Sequence, residues 1–138
     1  MRLVLDTNVY ISKLLSPAGR VGQTFDYIVH AQLEQLMSNA TLQELQRKLA
    51  APKFRRYFSP LAAGIYFSRI QEAATIIEVT TELTVCADPD DDMLFELATD
   101  GQADYIISGD QKVLALDPFG QVRVVSPRGF VEELRVKD

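Results

Sequence analysis

This 138-residue chain holds a single cysteine and a single histidine, and those two scarcities narrow its chemistry first. Cys86 alone can form neither an internal disulfide nor a cysteine-based metal site, so nothing ties the chain to an oxidising compartment. His30 alone supports neither a histidine-pair metal site nor a Ser/His triad. No stretch approaches the roughly 18 continuous apolar residues of a membrane span, and no apolar signal region precedes Asp6. The expectation is a cytoplasmic protein without a membrane partner. A glycine-rich phosphate loop is also missing, because Gly19-Arg20-Val21-Gly22 fits neither a P-loop nor a dinucleotide fingerprint. Repeats, low-complexity segments and interdomain linkers are absent too; Pro17-Ala18-Gly19 is no more than a loop. One domain spanning residues 1–138 is therefore expected, with 47% hydrophobic residues to build its core.

Cations are the minority charge. A net charge of −5 argues against nucleic-acid binding through overall charge, since affinity for phosphate comes from Lys and Arg. The local distribution differs from the mean. Arg47, Lys48, Lys53, Arg55 and Arg56 fall within one ten-residue window, opposed by the acidic cluster Asp88, Asp90, Asp91 and Asp92. The basic run suits a helix C-terminus, and it also suits a phosphate-holding rim beside an acidic centre. Among the aromatics, Phe54, Tyr57, Phe58, Tyr66 and Phe67 could stack on bases or simply pack between helices.

Patterning predicts strands at 2–5, 33–38, 76–79, 105–107 and 122–125. Helices are expected at 21–32, 41–50, 61–75 and from Asp88-Pro89 to about Thr99, with a short one after Asp110 and a last one after Pro127. Strands alternating with helices imply a mainly parallel sheet covered on both faces. Ligands of such sheets gather beyond the carboxyl ends of the strands, where strand order reverses.

Acids stand at those ends. Asp6 terminates an apolar strand and is followed by Thr7-Asn8, a set that can ligate a hard cation or start a helix. Asp110 follows Ile107-Ser108-Gly109, where it can cap a helix and bind a metal together. In Asp88-Pro89-Asp90-Asp91-Asp92, capping and the helix dipole account for the first acids, and Asp92 is left at the edge of the apolar stripe Met93, Leu94, Leu97 and Ala98. Glu44 also reads as half of an ordinary i, i+4 pair with Lys48.

Taken in order, Leu5-Asp6-Thr7-Asn8-Val9, Glu44, the Asp88–Asp92 cluster with Leu94 and Ala98, and Ala103-Asp104-Tyr105-Ile106-Ile107-Ser108-Gly109-Asp110 resemble the PIN-domain family along nearly the whole chain. The resemblance implies a three-layer α/β/α sandwich and a Mg²⁺- or Mn²⁺-dependent endoribonuclease, of the stand-alone prokaryotic type that includes toxins of toxin–antitoxin pairs. It maps Asp6, Glu44, Asp92 and Asp110 onto the catalytic, metal-binding acids, with Asp91 as the alternative to Asp92 and with Asn8 and Ser108 in support. RNA, an antitoxin and a second copy of the chain are the implied partners, and Arg47, Lys48, Arg55 and Arg56 are the candidates for holding flanking phosphates. Two other readings fit parts of the pattern. One is a PIN scaffold that binds RNA or protein with little catalysis. The other is a haloacid-dehalogenase-like phosphatase, disfavoured by Asn8, because that mechanism wants a proton-exchanging acid two residues after the first Asp.

Overall fold

The computed structural model describes residues 1–137. Five strands, β1 (Arg2–Leu5), β2 (Glu34–Met37), β3 (Thr75–Ile76), β4 (Tyr105–Ile107) and β5 (Arg123–Val125), form one sheet in the order β3-β2-β1-β4-β5. Every pairing is parallel. The helices are α1 (Thr7–Leu15), α2 (Arg20–His30), α3 (Asn39–Leu49), α4 (Pro60–Ala73), α5 (Asp92–Gly101), α6 (Gln111–Leu114) and α7 (Pro127–Lys137). Among the described residues no helix is long and apolar enough to cross a membrane.

Both faces of the sheet are covered at its centre, which is why Leu3-Val4-Leu5 of β1 and Tyr105-Ile106-Ile107 of β4 are apolar without alternation. Side chains alternate along each strand. Leu3 and Leu5 of β1 join Met37, Tyr105, Ile107 and Val125 in one core with α1, α2, α3 and α7. Val4 joins Leu36, Ile106 and Val124 in a second core against α5. The sheet is thus the middle of three layers, as an α/β/α sandwich requires.

The chain passes from β1 outward to β2 and β3, then crosses back to β4 on the other side of β1. Strand order reverses between β1 and β4, so the crevice beyond their carboxyl ends is the place for a site. Asp6 follows β1 directly, and Ser108-Gly109-Asp110 follows β4. Topology alone brings them together.

Three elements differ from the patterning, and the first is the strand expected at 76–79, which is only Thr75–Ile76. Residues 7–15 are helical, although Val9-Tyr10-Ile11 is a β-branched and aromatic run; Asp6 caps this helix by accepting from the Asn8 amide, and all three apolar residues are buried by it. The helix expected to run unbroken from Asp88-Pro89 is split. Pro89–Asp91 is a 3₁₀ turn, with the Asp88 carboxylate accepting from the Asp90 amide, and the α-helix starts only at Asp92. A 3₁₀ turn winds more tightly than an α-helix, so this break changes the direction in which each acid of the cluster points.

Candidate active site

The first acid is fixed by its own turn and by the neighbouring strand. Asp6 is 4% exposed; one carboxylate oxygen accepts from the Asn8 N–H at 3.2 Å and the other from the Ser108 hydroxyl at 2.8 Å. The Ser108 oxygen in turn accepts from the Asp110 N–H at 3.1 Å. Ser108 is fully buried and therefore acts as a rivet between the ends of β1 and β4. Asp110 caps α6 through the Lys112 N–H, leaving its other oxygen free of that duty.

Asp6, Asn8 and Asp110 line a cavity of about 280 Å³ together with Glu44, Arg47, Lys48, Asp88, Asp90 and Asp91. Asp91 records the charge there. Partial burial, followed by the nearby Asp6, Asp88 and Asp110 carboxylates, pushes its carboxyl up to about 6, against a smaller opposing pull from Lys48. The cavity therefore carries negative charge that its own cations do not balance.

Asp92 does not belong to this wall. Asp92, expected as the third acid with Asp91 as its alternative, does not line the cavity: its side chain is 7% exposed and turned to the loop before the cluster, where one oxygen accepts from the Val85 and Cys86 N–H groups at 3.0 and 2.8 Å. Those two backbone hydrogen bonds hold its carboxyl below the usual range. The alternative acid, Asp91, faces the cavity instead. Cys86, beside this clamp, has its thiol pushed up to about 12 by burial and by the Asp92 carboxylate, which leaves it an inert thiol at neutral pH.

Glu44 reaches the cavity from α3, and it does not arrive alone. Partial burial pushes its carboxyl up, but hydrogen bonds from Arg47 and Lys48 outweigh that effect and keep it ionised, with a net shift below the ordinary value. The Lys48 ammonium lies 3.3 Å from Glu44 and also donates to Thr7 Oγ1 at 3.2 Å and Asn8 Oδ1 at 3.3 Å. It ties α3 to the first turn of α1. Among the described residues no three Asp, Glu, His or Cys side chains stand close enough to make a ready metal-binding group.

Of the four cations expected at the rim, Arg47 and Lys48 line the acidic cavity. Arg55 lines a neighbouring cavity of about 260 Å³ between α3 and α4, walled by Leu49, Phe58, Ala63 and Phe67. Arg56 is exposed and lies over the Tyr57 ring, 4.9 Å from its centroid. The aromatic group is mostly packing: Phe54 and Phe58 stack at 5.6 Å, and Tyr66 donates to the Tyr10 carbonyl. His30 ends α2 on the surface. Sequence reasoning missed Asp88 and Asp90 as cavity walls because capping already explained them, and it missed Lys48 as an internal cation because an i, i+4 partner placed it on a solvated face.

Comparison with known proteins gives the family. A profile described as a PIN domain matches residues 2–112. An uncharacterized protein of Methanocaldococcus jannaschii, MJ1680, is 29% identical over 142 aligned positions, covering 96% of this chain and 91% of that protein. The fold is similar to PAE2754 from Pyrobaculum aerophilum, with a TM-score of 0.65 and 13% identity over 99% of this chain and 90% of that one. It is also similar to VapBC2 from Rickettsia felis, solved bound to a DNA fragment from the promoter, with a TM-score of 0.63 and 11% identity over 90% and 97% of the two chains. FitAcB from Neisseria gonorrhoeae follows at a TM-score of 0.55 and 16% identity, covering 91% and 98%. With its parallel sheet, its acid-lined crevice at the switch point and this profile match, the chain belongs to the PIN-domain family, a family of nucleases.

Proposed function

We propose that residues 1–138 act as a single Mg²⁺- or Mn²⁺-dependent PIN endoribonuclease in the cytoplasm, hydrolysing phosphodiester bonds of RNA as the toxin of a toxin–antitoxin pair. The observation that carries the reading is the unbalanced negative charge at Asp91, surrounded by Asp6, Asp88 and Asp110 in one cavity at the switch point. A cation fits that charge, and hard carboxylate oxygens suit Mg²⁺ or Mn²⁺. Asp6, Asp91 and Asp110 would hold it, with Asp91 taking the role that the resemblance gave to Asp92 or Asp91. When bound, such an ion neutralises charge on the scissile phosphate and acidifies a water.

The chain's own groups do the positioning. Ser108 and the Asn8 amide hold both oxygens of Asp6, so its carboxylate does not rotate. Glu44, kept ionised by Arg47 and Lys48, is the acid that orients a water, as carboxylates outside the direct ligands commonly do. Arg47 and Lys48 receive the flanking phosphates, Arg47 being the freer of the two because its side chain is 68% exposed.

A protein partner is supported by α4, where Leu61 and Ile65 are 74% and 47% exposed. The likeness to VapBC2 and the exposed apolar face favour an antitoxin there, with a second copy of the chain as the other occupant. One observation favours the weaker catalyst: Lys48 already occupies polar atoms of Thr7, Asn8 and Glu44, and the acids are not gathered into a ready metal group. Family membership leaves the haloacid-dehalogenase-like phosphatase without support.

The test is cleavage of a mixed single-stranded RNA pool by the purified chain with Mg²⁺ or Mn²⁺, against chelator, the same sequences as DNA, and a small phosphoester. RNA cleavage abolished by chelator is the expected result. A folded protein that retains RNA without cutting it under either metal would be a binding scaffold.

A further inference from the structure

A second cavity, of about 270 Å³, opens between α2 and α7, on the same face of the sheet as α3. Its lining is periodic on both helices. Residues 20, 23, 24 and 27 of α2 and residues 128, 131, 132 and 135 of α7 each follow the i, i+3, i+4, i+7 spacing of one helix face, so two facing stripes make the cleft. Thr24 Oγ1 donates to the Pro127 carbonyl at 3.2 Å and joins the helices at the end nearest the acids.

The cleft is basic in a chain that is acidic overall. Arg20, Arg128 and Arg135 face it against one carboxylate, Glu132. Arg128 pairs with Glu132 at 2.8 Å, but both side chains are more than half exposed, and such a pair contributes little and exchanges readily for another anion. The Arg20 side chain makes no hydrogen bond or ion pair among the described residues and lies exposed at the first turn of α2. Guanidinium forks match phosphate oxygens in geometry as well as in charge.

The cleft also lies beside the site. A third cavity, of about 340 Å³, is lined by Asp6, Asn8 and Asp110, which it shares with the acidic cavity, and also by Val21 and Pro127. Each of those last two is one residue from an arginine of the basic cleft, Arg20 and Arg128. The third cavity and the basic cleft share no lining residue, but their walls are adjacent along α2 and α7, which places the three arginines next to the acid-lined crevice. From this arrangement we infer that the α2–α7 cleft holds the phosphodiester backbone of the RNA strand on the far side of the scissile bond from Arg47 and Lys48, with Arg20, Arg128 and Arg135 as its contacts.

The inference rests on the ribonuclease reading, and its test separates the two. Anisotropy of a labelled single-stranded RNA of about 15 nucleotides is measured with Mg²⁺ over a range of salt, using full-length Asp91→Asn to keep the probe intact. Arg20→Ala and Arg135→Ala are then added to that background, with Arg69→Ala on α4 as a control that also removes one charge. Losing one phosphate contact on a single strand lowers the salt slope by about 0.7, which is about fourfold in affinity at 0.15 M salt. The double variant is expected to bind about 15-fold more weakly with a slope lower by about 1.4, and the control to bind unchanged. Equal affinity and slope for the double variant and its parent, or an equal loss in the Arg69→Ala control, would overturn the inference. Failure of the ribonuclease reading looks different: the wild type cuts no RNA with either metal, while arginine-dependent binding persists.

Discussion

Replacing Asp91 by Asn should make the metal-free protein more stable and depend on pH in a defined way. The Asp91 carboxyl is pushed from the ordinary 3.8 up to about 6 by burial and by the Asp6, Asp88 and Asp110 carboxylates. A raised acid pKa means that ionising the group costs the folded state; the cost is absent below about pH 4, grows as pH rises through 6 and is complete above it. At about 1.4 kcal/mol per pKa unit the rise corresponds to about 3 kcal/mol. Solvent reaches much of this side chain, and screening reduces the figure to about 1 kcal/mol. In a 138-residue domain that is about 3–5 °C in Tm. The assay is thermal unfolding in chelator from pH 4 to 8. Wild type and Asp91→Asn should melt together near pH 4, diverge between about pH 4 and 6 and keep a constant gap above it, with the variant higher. Added Mn²⁺ should raise the wild-type Tm more than the variant's. A variant that melts lower than wild type at every pH would show that Asp91 supports the fold instead of straining it.

Asp92→Ala acts in the opposite sense, since it leaves the Val85 and Cys86 N–H groups without their acceptor; faster hydrogen exchange at those two amides, without any chelator dependence, is the expected signature. Ser108→Ala removes the link between Asp6 and Asp110 in a fully buried position, so it should cost about 1–3 kcal/mol in urea unfolding and slow RNA cleavage as well. Gly22→Ala would set its Cβ 1.7 Å from the Pro17 carbonyl oxygen, and the forced movement of the α2 entry should cost about 1–3 kcal/mol by the same measurement.

The fold was legible where burial imposes one pattern. β4 and, after Arg2, β1 are apolar because both faces are covered, and Asp6 and Asp110 could be read as site acids because an apolar strand that ends on a carboxylate has few other uses. Helix α1 was not legible as a helix, because Val9-Tyr10-Ile11 fits a strand equally well and only the Asp6 cap and burial against α2 and α3 decide it. The third acid depended on one turn of backbone. With an unbroken helix from Asp88, Asp92 falls at the edge of the apolar stripe; the 3₁₀ turn at Pro89–Asp91 rotates the cluster, so that Asp91 faces the cavity and Asp92 the loop. Patterning reports hydrophobic faces and cannot distinguish a 3₁₀ turn from an α-helical one over three residues. The arginines of the α2–α7 cleft were invisible for another reason, since Arg20 and Arg128 meet only through the packing of helices 108 positions apart in the chain.

Initial rates of Mn²⁺-dependent RNA cleavage by wild type, Asp91→Asn and Asp92→Asn, measured side by side and corrected for the folded fraction, test the central claim most directly. Outer groups of metal sites typically cost 10–100-fold when changed, so a direct ligand should exceed the upper end. The account predicts that Asp91→Asn loses more than about 100-fold, while Asp92→Asn, whose remaining oxygen can still accept from Val85 and Cys86, stays within about tenfold of wild type. The reverse order, with Asp92→Asn inactive and Asp91→Asn active, would contradict it.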